Sequence, residues 1–225
     1  MSNDFVNIEV PISEWALGPN VYQYILNTVP PGSNVLELGS GDSSRILTEM
    51  GHTVWSVEEN IEFVGKHPNV NYIHAPIDPA TNWYDKEILS KALAGLERFH
   101  TVIVDGPTTD RAGIIDALGR GILPAPFQMV FDDIHREGDR SVFFNILQSF
   151  PQFLVGGSIH IFSAGQILQQ DEDNPAYWSL CGVITAAPPP FSLLPNKTVG
   201  DAHVARTLSW GVPRSYIDPL KGNKE

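Results

Sequence analysis

Residues 34–59 limit the possible folds of this chain more than any other stretch. They begin with an apolar run, turn sharply through residues 39–41 and continue into a short amphipathic segment. A second apolar run, residues 53–57, then ends at Glu58 and Glu59. Because strands and helices differ in the spacing of their apolar residues, this order predicts a strand, a glycine turn, a helix, a second strand and a terminal acid.

The glycine turn and the terminal acid predict a site for a nucleoside cofactor. Gly39 and Gly41 carry no Cβ, so the backbone there can approach a ligand closely. The helix that follows offers unpaired N–H groups and the positive end of its dipole. Glu58 follows at roughly the 20-residue spacing at which an acid accepts hydrogen bonds from ribose hydroxyls. An ordinary βαβ turn with structural glycines is the alternative interpretation.

The third glycine of a dinucleotide-binding turn is missing, which narrows the choice of cofactor. Ser44 occupies that position, and the chain has no G-x-x-x-x-G-K-[ST] loop for a nucleoside triphosphate. An acid within the first strand, Glu37, followed by Gly-Ser-Gly resembles motif I of the class I S-adenosylmethionine (SAM) methyltransferases. The resemblance extends over residues 20–165 and implies SAM as cofactor, with the acid near its amino-acid end. The cofactor-binding residues that it implies are Glu37, Gly39, Ser40, Gly41, Ser44, Glu58, Glu59, Ala75 and Asp105.

Size and charge predict a globular protein that does not bind nucleic acid. The 225 residues suffice for one α/β domain, and no apolar run approaches the roughly 18 residues of a membrane span. The single cysteine, Cys181, excludes an internal disulfide and is expected to be a small buried side chain. A net charge of −12 repels a phosphate backbone. The polar start lacks a secretory signal, so we expect a cytoplasmic protein with a small-molecule acceptor and no membrane partner, in an oligomeric state that the sequence leaves open.

Alternating apolar segments predict an α/β domain at residues 20–186, between a polar arm at residues 1–19 and an irregular tail at residues 187–225. Five β/α units are followed by strands without crossover helices. This favours a Rossmann-like, mostly parallel seven-stranded sheet with a C-terminal antiparallel hairpin, the architecture of the class I methyltransferases. The strand candidates are residues 35–38, 53–57, 70–74, 101–104, 127–131, 153–155, 158–162, 166–168 and 180–185. Besides the helix after the glycine turn, the predicted helices are residues 20–29, 84–99, 111–118 and 138–150, and residues 78–82 are a predicted loop.

Acids lie at or just beyond the ends of four of the first five predicted strands. Open α/β sheets bind ligands at the carboxyl ends of their strands. Asp105 follows the fourth predicted strand, and Asp132 and Asp133 follow the fifth, with His135 two residues further on. These four side chains are candidate catalytic residues that could take a proton from an acceptor, and His135 has the most suitable ordinary pKa. A solvated loop carboxylate is the alternative for each acid taken alone.

Three later segments resemble the glucuronoxylan 4-O-methyltransferase group: VDGPTTDRAG, FDDIHREGD and GGSIHIF. Asp132 stands where that group has a histidine, whereas Asp133 and Arg136 match its aspartate and arginine. The resemblance implies O-methylation of a small hydroxylated, sugar-like acceptor. The function predicted from the sequence is therefore that of a SAM-dependent O-methyltransferase.

A bound cation and two other functions are open alternatives. Some O-methyltransferases hold a divalent cation between acids after strands four and five, which makes Asp105, Asp132 and Asp133 candidate ligands for Mg²⁺ or Mn²⁺. Neighbouring side chains in a strand point to opposite faces, so Asp132 and Asp133 can converge only if the strand has ended. A non-catalytic SAM-binding homologue would keep the turn without the chemistry. A nicotinamide-dependent oxidoreductase could use the same βαβ unit, although the missing third glycine disfavours it.

Overall fold

The computed structural model describes residues 17–96, 98–150, 153, 157–167 and 178–186. The predicted tail, residues 187–225, lies outside this part of the chain, as does the predicted arm up to residue 16. Of the strand candidate at residues 153–155 only Phe153 is described, and its side chain is buried.

Helices and strands alternate through the described part of the chain. The helices are α1 Pro19–Thr28, α2 Asp42–Glu49, α3 Lys86–Leu93, α4 Gly113–Gly119 and α5 Glu137–Ser149. The strands are β1 Asn34–Leu38, β2 Thr53–Glu58, β3 Asn71–His74, β4 Ile77–Asp78, β5 Trp83–Tyr84, β6 Thr101–Val104, β7 Gln128–Phe131, β8 Ser158–Ile167 and β9 Trp178–Thr185. A short 3₁₀ turn, Ile61–Phe63, follows β2.

Seven of these strands form one sheet in the order β3-β2-β1-β6-β7-β9-β8. The first five are parallel, whereas β9 pairs antiparallel with both β7 and β8. The predicted Rossmann-like, mostly parallel sheet with a C-terminal antiparallel hairpin is confirmed. From β1 the chain moves outward to β2 and β3, and then returns to the other side of β1 as β6. The ends of β1 and β6 therefore flank the topological switch point, where open α/β sheets bind their ligands.

The central strands are apolar because helices cover both faces of the sheet. All four residues of β6 and all four of β7 are buried. Val102 and Val104 pack in a cluster with residues of α3, α4 and α5, whereas Ile103 packs with residues of α1 and α2 on the opposite face. Polar side chains have room only where the strands end, and this places the chemically active groups at the carboxyl edge of the sheet.

The turn of a two-stranded hairpin lies within the predicted loop at residues 78–82, and its second strand includes Tyr84, the first residue of the helix predicted at residues 84–99, so the helix prediction was wrong there. Strand β4, Ile77–Asp78, pairs antiparallel with β5, Trp83–Tyr84. Both side chains of β5 are fully buried, so the hairpin adds them to the core. Asp85 then begins α3, because its carboxylate accepts the N–H groups two and three residues further on.

Two helices also differ from their predicted bounds. Helix α3 ends at Leu93 instead of residue 99, and Gly95 just beyond it adopts a φ of +81°. Helix α4 begins at Gly113, two residues later than predicted. Arg111 therefore lies in the loop between β6 and α4, where its side chain can reach the strand ends.

The strand candidates at residues 158–162 and 166–168 belong to one long strand, β8, which is described as far as Ile167. The remaining element boundaries agree with the predictions to within two residues. Among the described residues, no helix combines the length and the apolar character that a membrane span requires.

Candidate active site

The turn at Gly39 packs directly against the turn that follows β6. Gly39 has a φ of +93°, and its N–H donates to the carbonyl of Val57 at 2.9 Å. A Cβ on Gly39 would lie 3.0 Å from the backbone nitrogen of Gly106 and 3.1 Å from the carbonyl carbon of Asp105. A Cβ on Gly106 would lie 2.9 Å from the Cα of Gly39. Backbone contact across the switch point therefore requires both glycines, whatever ligand approaches the turn.

Glu37 lies beneath the start of α2 and is fully buried. Its two carboxylate oxygens accept hydrogen bonds from the hydroxyls of Ser43 and Ser44. The Ser44 hydroxyl also accepts the N–H of Gly41 at 3.4 Å. Burial raises the pKa of Glu37 to about 7, although the serine hydrogen bonds act in the opposite direction. In this arrangement Glu37 fixes the start of α2 behind the glycine turn and does not face solvent itself.

Glu58 lies beside the glycine turn, as the motif predicted. One carboxylate oxygen accepts both the N–H (3.1 Å) and the hydroxyl (2.5 Å) of Ser40, and the other accepts the N–H of Asn60 at 2.8 Å. The residue is only 5% exposed. Because a carboxylate offers about four lone-pair sites, one is left over, and displacement of the Ser40 hydroxyl would free a second.

Glu59 joins the end of β2 to the loop after β6. One of its carboxylate oxygens accepts the N–H (3.1 Å) and the hydroxyl (2.9 Å) of Thr108, and its carbonyl lies 3.3 Å from Nε2 of His74. Ala75, just after β3, is fully buried, and its N–H donates to the carbonyl of Glu58 at 3.0 Å. Both residues thus belong to the predicted edge of the sheet, Glu59 through its side chain and Ala75 through its backbone.

Asp105, Asp132 and Asp133 converge at the ends of β6 and β7. One carboxylate oxygen from each lies within 4.8 Å of the others. Asp133 has a φ of +60°, so the strand has ended before it, and its N–H donates to a carboxylate oxygen of Asp132 at 2.9 Å. Asp132 and Asp133 can therefore converge, because the strand has ended, as the sequence required. We call these three residues the acidic rim.

Arg111, which no motif in the sequence marks as a site residue, lies against the acidic rim with a side chain only 8% exposed. Its guanidinium donates to the backbone carbonyls of Asp105 (2.6 Å) and Asp132 (3.0 Å). It also lies 3.3 Å from a carboxylate oxygen of Asp105, 3.4 Å from one of Asp133 and 3.4 Å from one of Asp139. A single arginine in a loop has no sequence pattern of its own, and only the fold places it between four acids.

His135 and Arg136 lie on the outer side of Asp133. Nδ1 of His135 accepts the N–H of Leu180 at 3.4 Å and lies 3.8 Å from a carboxylate oxygen of Asp133. Burial lowers the pKa of His135 although the charge of Asp133 opposes this, so the imidazole is neutral at pH 7. Arg136, which is 58% exposed, lies 2.8 Å from Asp133. Asp133 therefore contacts two arginines, while His135 can still accept a proton.

Asp105 and Asp132 both have raised pKa values. Burial and the charge of Asp133 raise the pKa of Asp132 to about 6. Burial and the charge of Asp132 raise the pKa of Asp105 well above its usual range, against the effect of Arg111. The thiol of Cys181, which is buried as predicted, donates to Asp132 at 2.8 Å. These two carboxylates hold a proton more strongly than solvated ones do, as a general base near neutral pH requires.

No protein-family model and no curated protein matches this chain. It is similar to the solved structure of a TehB-like SAM-dependent methyltransferase from Corynebacterium glutamicum, with 18% identity, a TM-score of 0.44, and coverage of 74% of this chain and 85% of that one. A precorrin-6Y C5,15-methyltransferase from Geobacter metallireducens has 14% identity and a TM-score of 0.49, with 77% and 94% covered. The MycE methyltransferase of the mycinamycin biosynthetic pathway, in complex with Mg and SAH, has 15% identity and a TM-score of 0.47, with 86% and 52% covered.

All three of these proteins are methyltransferases. None of the three is a glucuronoxylan methyltransferase, so the narrower resemblance stays a prediction.

Proposed function

We propose that this protein binds SAM at the switch point and transfers the methyl group to an oxygen of a small hydroxylated acceptor. One observation carries the proposal. The glycine turn and Glu58, on the β1–β2 side of the switch point, meet the acidic rim on the β6–β7 side, and Gly39 and Gly106 are in contact between them. Groups suited to holding a nucleoside and groups suited to taking a proton therefore lie at one edge of the sheet.

The residues around the turn fit SAM. Glu58 keeps a lone pair for a ribose hydroxyl, and the start of α2 lies directly behind the turn. The hydroxyl of Tyr84 is buried next to Gly106 and has no hydrogen-bond partner among the described residues, as expected of a site that a polar ligand completes. The missing third glycine is no obstacle, because SAM has no phosphate to bind.

When bound, SAM supplies an activated methyl group, so the protein must align the acceptor and remove its proton. Alignment of two reactants can contribute several kcal/mol, of order 7–11 at most. The acceptor hydroxyl would give its proton to a carboxylate oxygen of Asp105 or Asp132, whose raised pKa values suit this step. Neutral His135 is the other candidate base. Asp133, held by two arginines, would position the rim.

The charge of the protein supports a small and uncharged or cationic acceptor. A net charge of −12 and an acidic rim repel polyanions. The DGP and DDIHR segments, which resemble those of a sugar-methylating group, support a hydroxylated and sugar-like acceptor. The sequence also left open a divalent cation between Asp105, Asp132 and Asp133; if one took part, transfer would be sensitive to a chelator.

The proposal is tested by incubating the protein with labelled SAM and a panel of small hydroxylated acceptors, and by measuring S-adenosylhomocysteine. For an accepted substrate, Asp105→Asn and Asp132→Asn should each lower kcat by about 10²–10⁴-fold while SAM affinity stays near that of the wild type. Asp116→Asn is the matched control, because Asp116 lies in α4 and pairs with Lys86 and Arg120 away from the rim.

Each of four results would contradict the proposal. The first is full turnover by Asp105→Asn, Asp132→Asn and Asp133→Asn alike, and the second is transfer only to nucleic acid or to protein side chains. The third is binding of NAD in place of SAM, which would indicate an oxidoreductase. SAM binding without turnover on any acceptor would indicate a non-catalytic SAM-binding protein.

A further inference from the structure

The guanidinium of Arg111 contacts all three residues of the acidic rim. All three guanidinium nitrogens take part: Nη2 contacts the carbonyl and carboxylate of Asp105 and the carboxylate of Asp133, Nη1 contacts the carbonyl of Asp132, and Nε contacts Asp139. The side chain is 8% exposed, so solvent screens these contacts weakly. Its planar set of donors matches the spacing of several oxygens at once.

The same oxygens are the ones that a divalent cation would need. A cation bound by Asp105, Asp132 and Asp133 would be coordinated by one carboxylate oxygen of each residue, and these three oxygens lie within 4.8 Å of one another. The guanidinium already lies 3.3 Å and 3.4 Å from two of these carboxylates. On Asp132 one oxygen already accepts the thiol of Cys181 and the N–H of Asp133. The rim as it stands therefore does not fit a divalent ion, because a protein cation occupies its place.

We propose that the guanidinium of Arg111 takes the place that a metal ion would have in the acidic rim. It binds the carboxylates of Asp105 and Asp133, so that the rim keeps its arrangement without added metal. Arg111 is a positioning residue, since it acts through the carboxylates that it holds. The claim that methyl transfer needs no metal rests on the function proposed above. The claim that the rim binds no metal while Arg111 is present does not.

The charge balance of the rim explains why removal of Arg111 should create a metal site. Arginine stays protonated at any ordinary pH, so it offsets one of the four surrounding carboxylates permanently. Arg136 contacts Asp133 from the exposed side, at a side-chain exposure of 58%. Without Arg111, three convergent carboxylates would remain with a gap between them, and these are the hard oxygen ligands that Mn²⁺ and Mg²⁺ prefer.

The test is a titration of the full-length chain with Mn²⁺, without SAM or acceptor. Electron paramagnetic resonance measures how much Mn²⁺ is bound. The wild type should show no Mn²⁺ site that depends on Asp133. Arg111→Gln should bind Mn²⁺ at least about tenfold more tightly than the wild type, and the added Asp133→Asn change should remove that binding. Arg120→Gln is the matched control, because Arg120 is an exposed arginine that pairs with Asp116, and it should leave Mn²⁺ binding unchanged.

Tight Mn²⁺ binding by the wild type that Asp133→Asn abolishes would overturn the inference, and so would a folded Arg111→Gln variant with no gain in Mn²⁺ affinity. If Arg111→Gln does not fold, the wild-type titration decides alone, since binding overturns the inference and its absence supports it. Failure of the methyltransferase proposal is seen separately, as a wild type that neither binds nor turns over SAM.

Discussion

Glu37 is a fully buried acid whose charge state should affect stability, and Glu37→Gln tests this. The substitution keeps the shape of the side chain and removes its charged form. Burial sets the pKa of Glu37 at about 7, against an ordinary value of 4.5. A tenfold change in the protonation equilibrium is worth about 1.36 kcal/mol, so a rise in pKa from 4.5 to about 7 corresponds to about 3 kcal/mol.

The sign follows from the raised pKa. At pH values between about 4.5 and 7 the folded state keeps a proton on Glu37 that the unfolded state releases. The contribution of Glu37 to stability is therefore fully present below pH 4.5 and is lost as the pH rises through about 7. Glu37→Gln has no such loss. Its free energy of unfolding, relative to the wild type, should rise by about 3 kcal/mol from pH 4.5 to pH 8.

Urea unfolding of both proteins at half-unit steps of pH measures this difference. The constant offset between the two reflects how the hydroxyls of Ser43 and Ser44 adapt to the amide, so the slope with pH is the relevant quantity. Glu49→Gln is the control, because Glu49 is half exposed and pairs with Arg45 on the surface of α2. A difference between Glu37→Gln and the wild type that stays flat across this range would refute the account of Glu37.

Three further predictions concern the packing and the charges around the site. Gly39→Ala should destabilise the protein by about 1–3 kcal/mol more than Gly51→Ala in urea unfolding, since both glycines have positive φ but only Gly39 meets backbone within 4 Å; equal losses would contradict this. Burial lowers the pKa values of His52 and His100, so the free energy of unfolding should fall as the pH drops below about 6.5. His52→Leu should reduce this pH dependence by up to about 1.4 kcal/mol per pH unit, and an unchanged dependence would count against the prediction. Cys181→Ala should raise the pKa of Asp132 above about 6 in a carbon-13 NMR titration, whereas Cys181→Ser, which keeps a donor, should not; no difference between the two would refute the role of the thiol.

The local order of the chain was predictable because it depends on neighbouring residues. The strand, turn, helix, strand and acid of residues 34–59 follow from apolar spacing and glycine positions, and the strand-end acids follow from the parallel sheet. The prediction failed at the hairpin of β4 and β5. The apolar spacing predicts that Tyr84 begins a helix, whereas Trp83 and Tyr84 are buried in the core as strand residues.

Several contacts that shape the site join residues far apart in sequence, so spacing could not reveal them. Cys181 reaches Asp132 across 49 positions, and Thr108 reaches Glu59 across 49. Arg111 contacts Asp133 across 22. The order of the strands in the sheet, in which the chain returns to the far side of β1, decides which side chains meet. No short motif encodes that order.

Isothermal titration of SAM into the wild type and into Glu58→Ala tests the central claim most directly. The wild type should bind SAM, and Glu58→Ala should bind it more weakly by about 1–3 kcal/mol, because a charged hydrogen-bond acceptor is lost. Glu62→Ala, which removes an exposed acid four positions further on, should bind like the wild type. A folded wild type that binds no SAM, or a Glu58→Ala variant of equal affinity, would contradict the account.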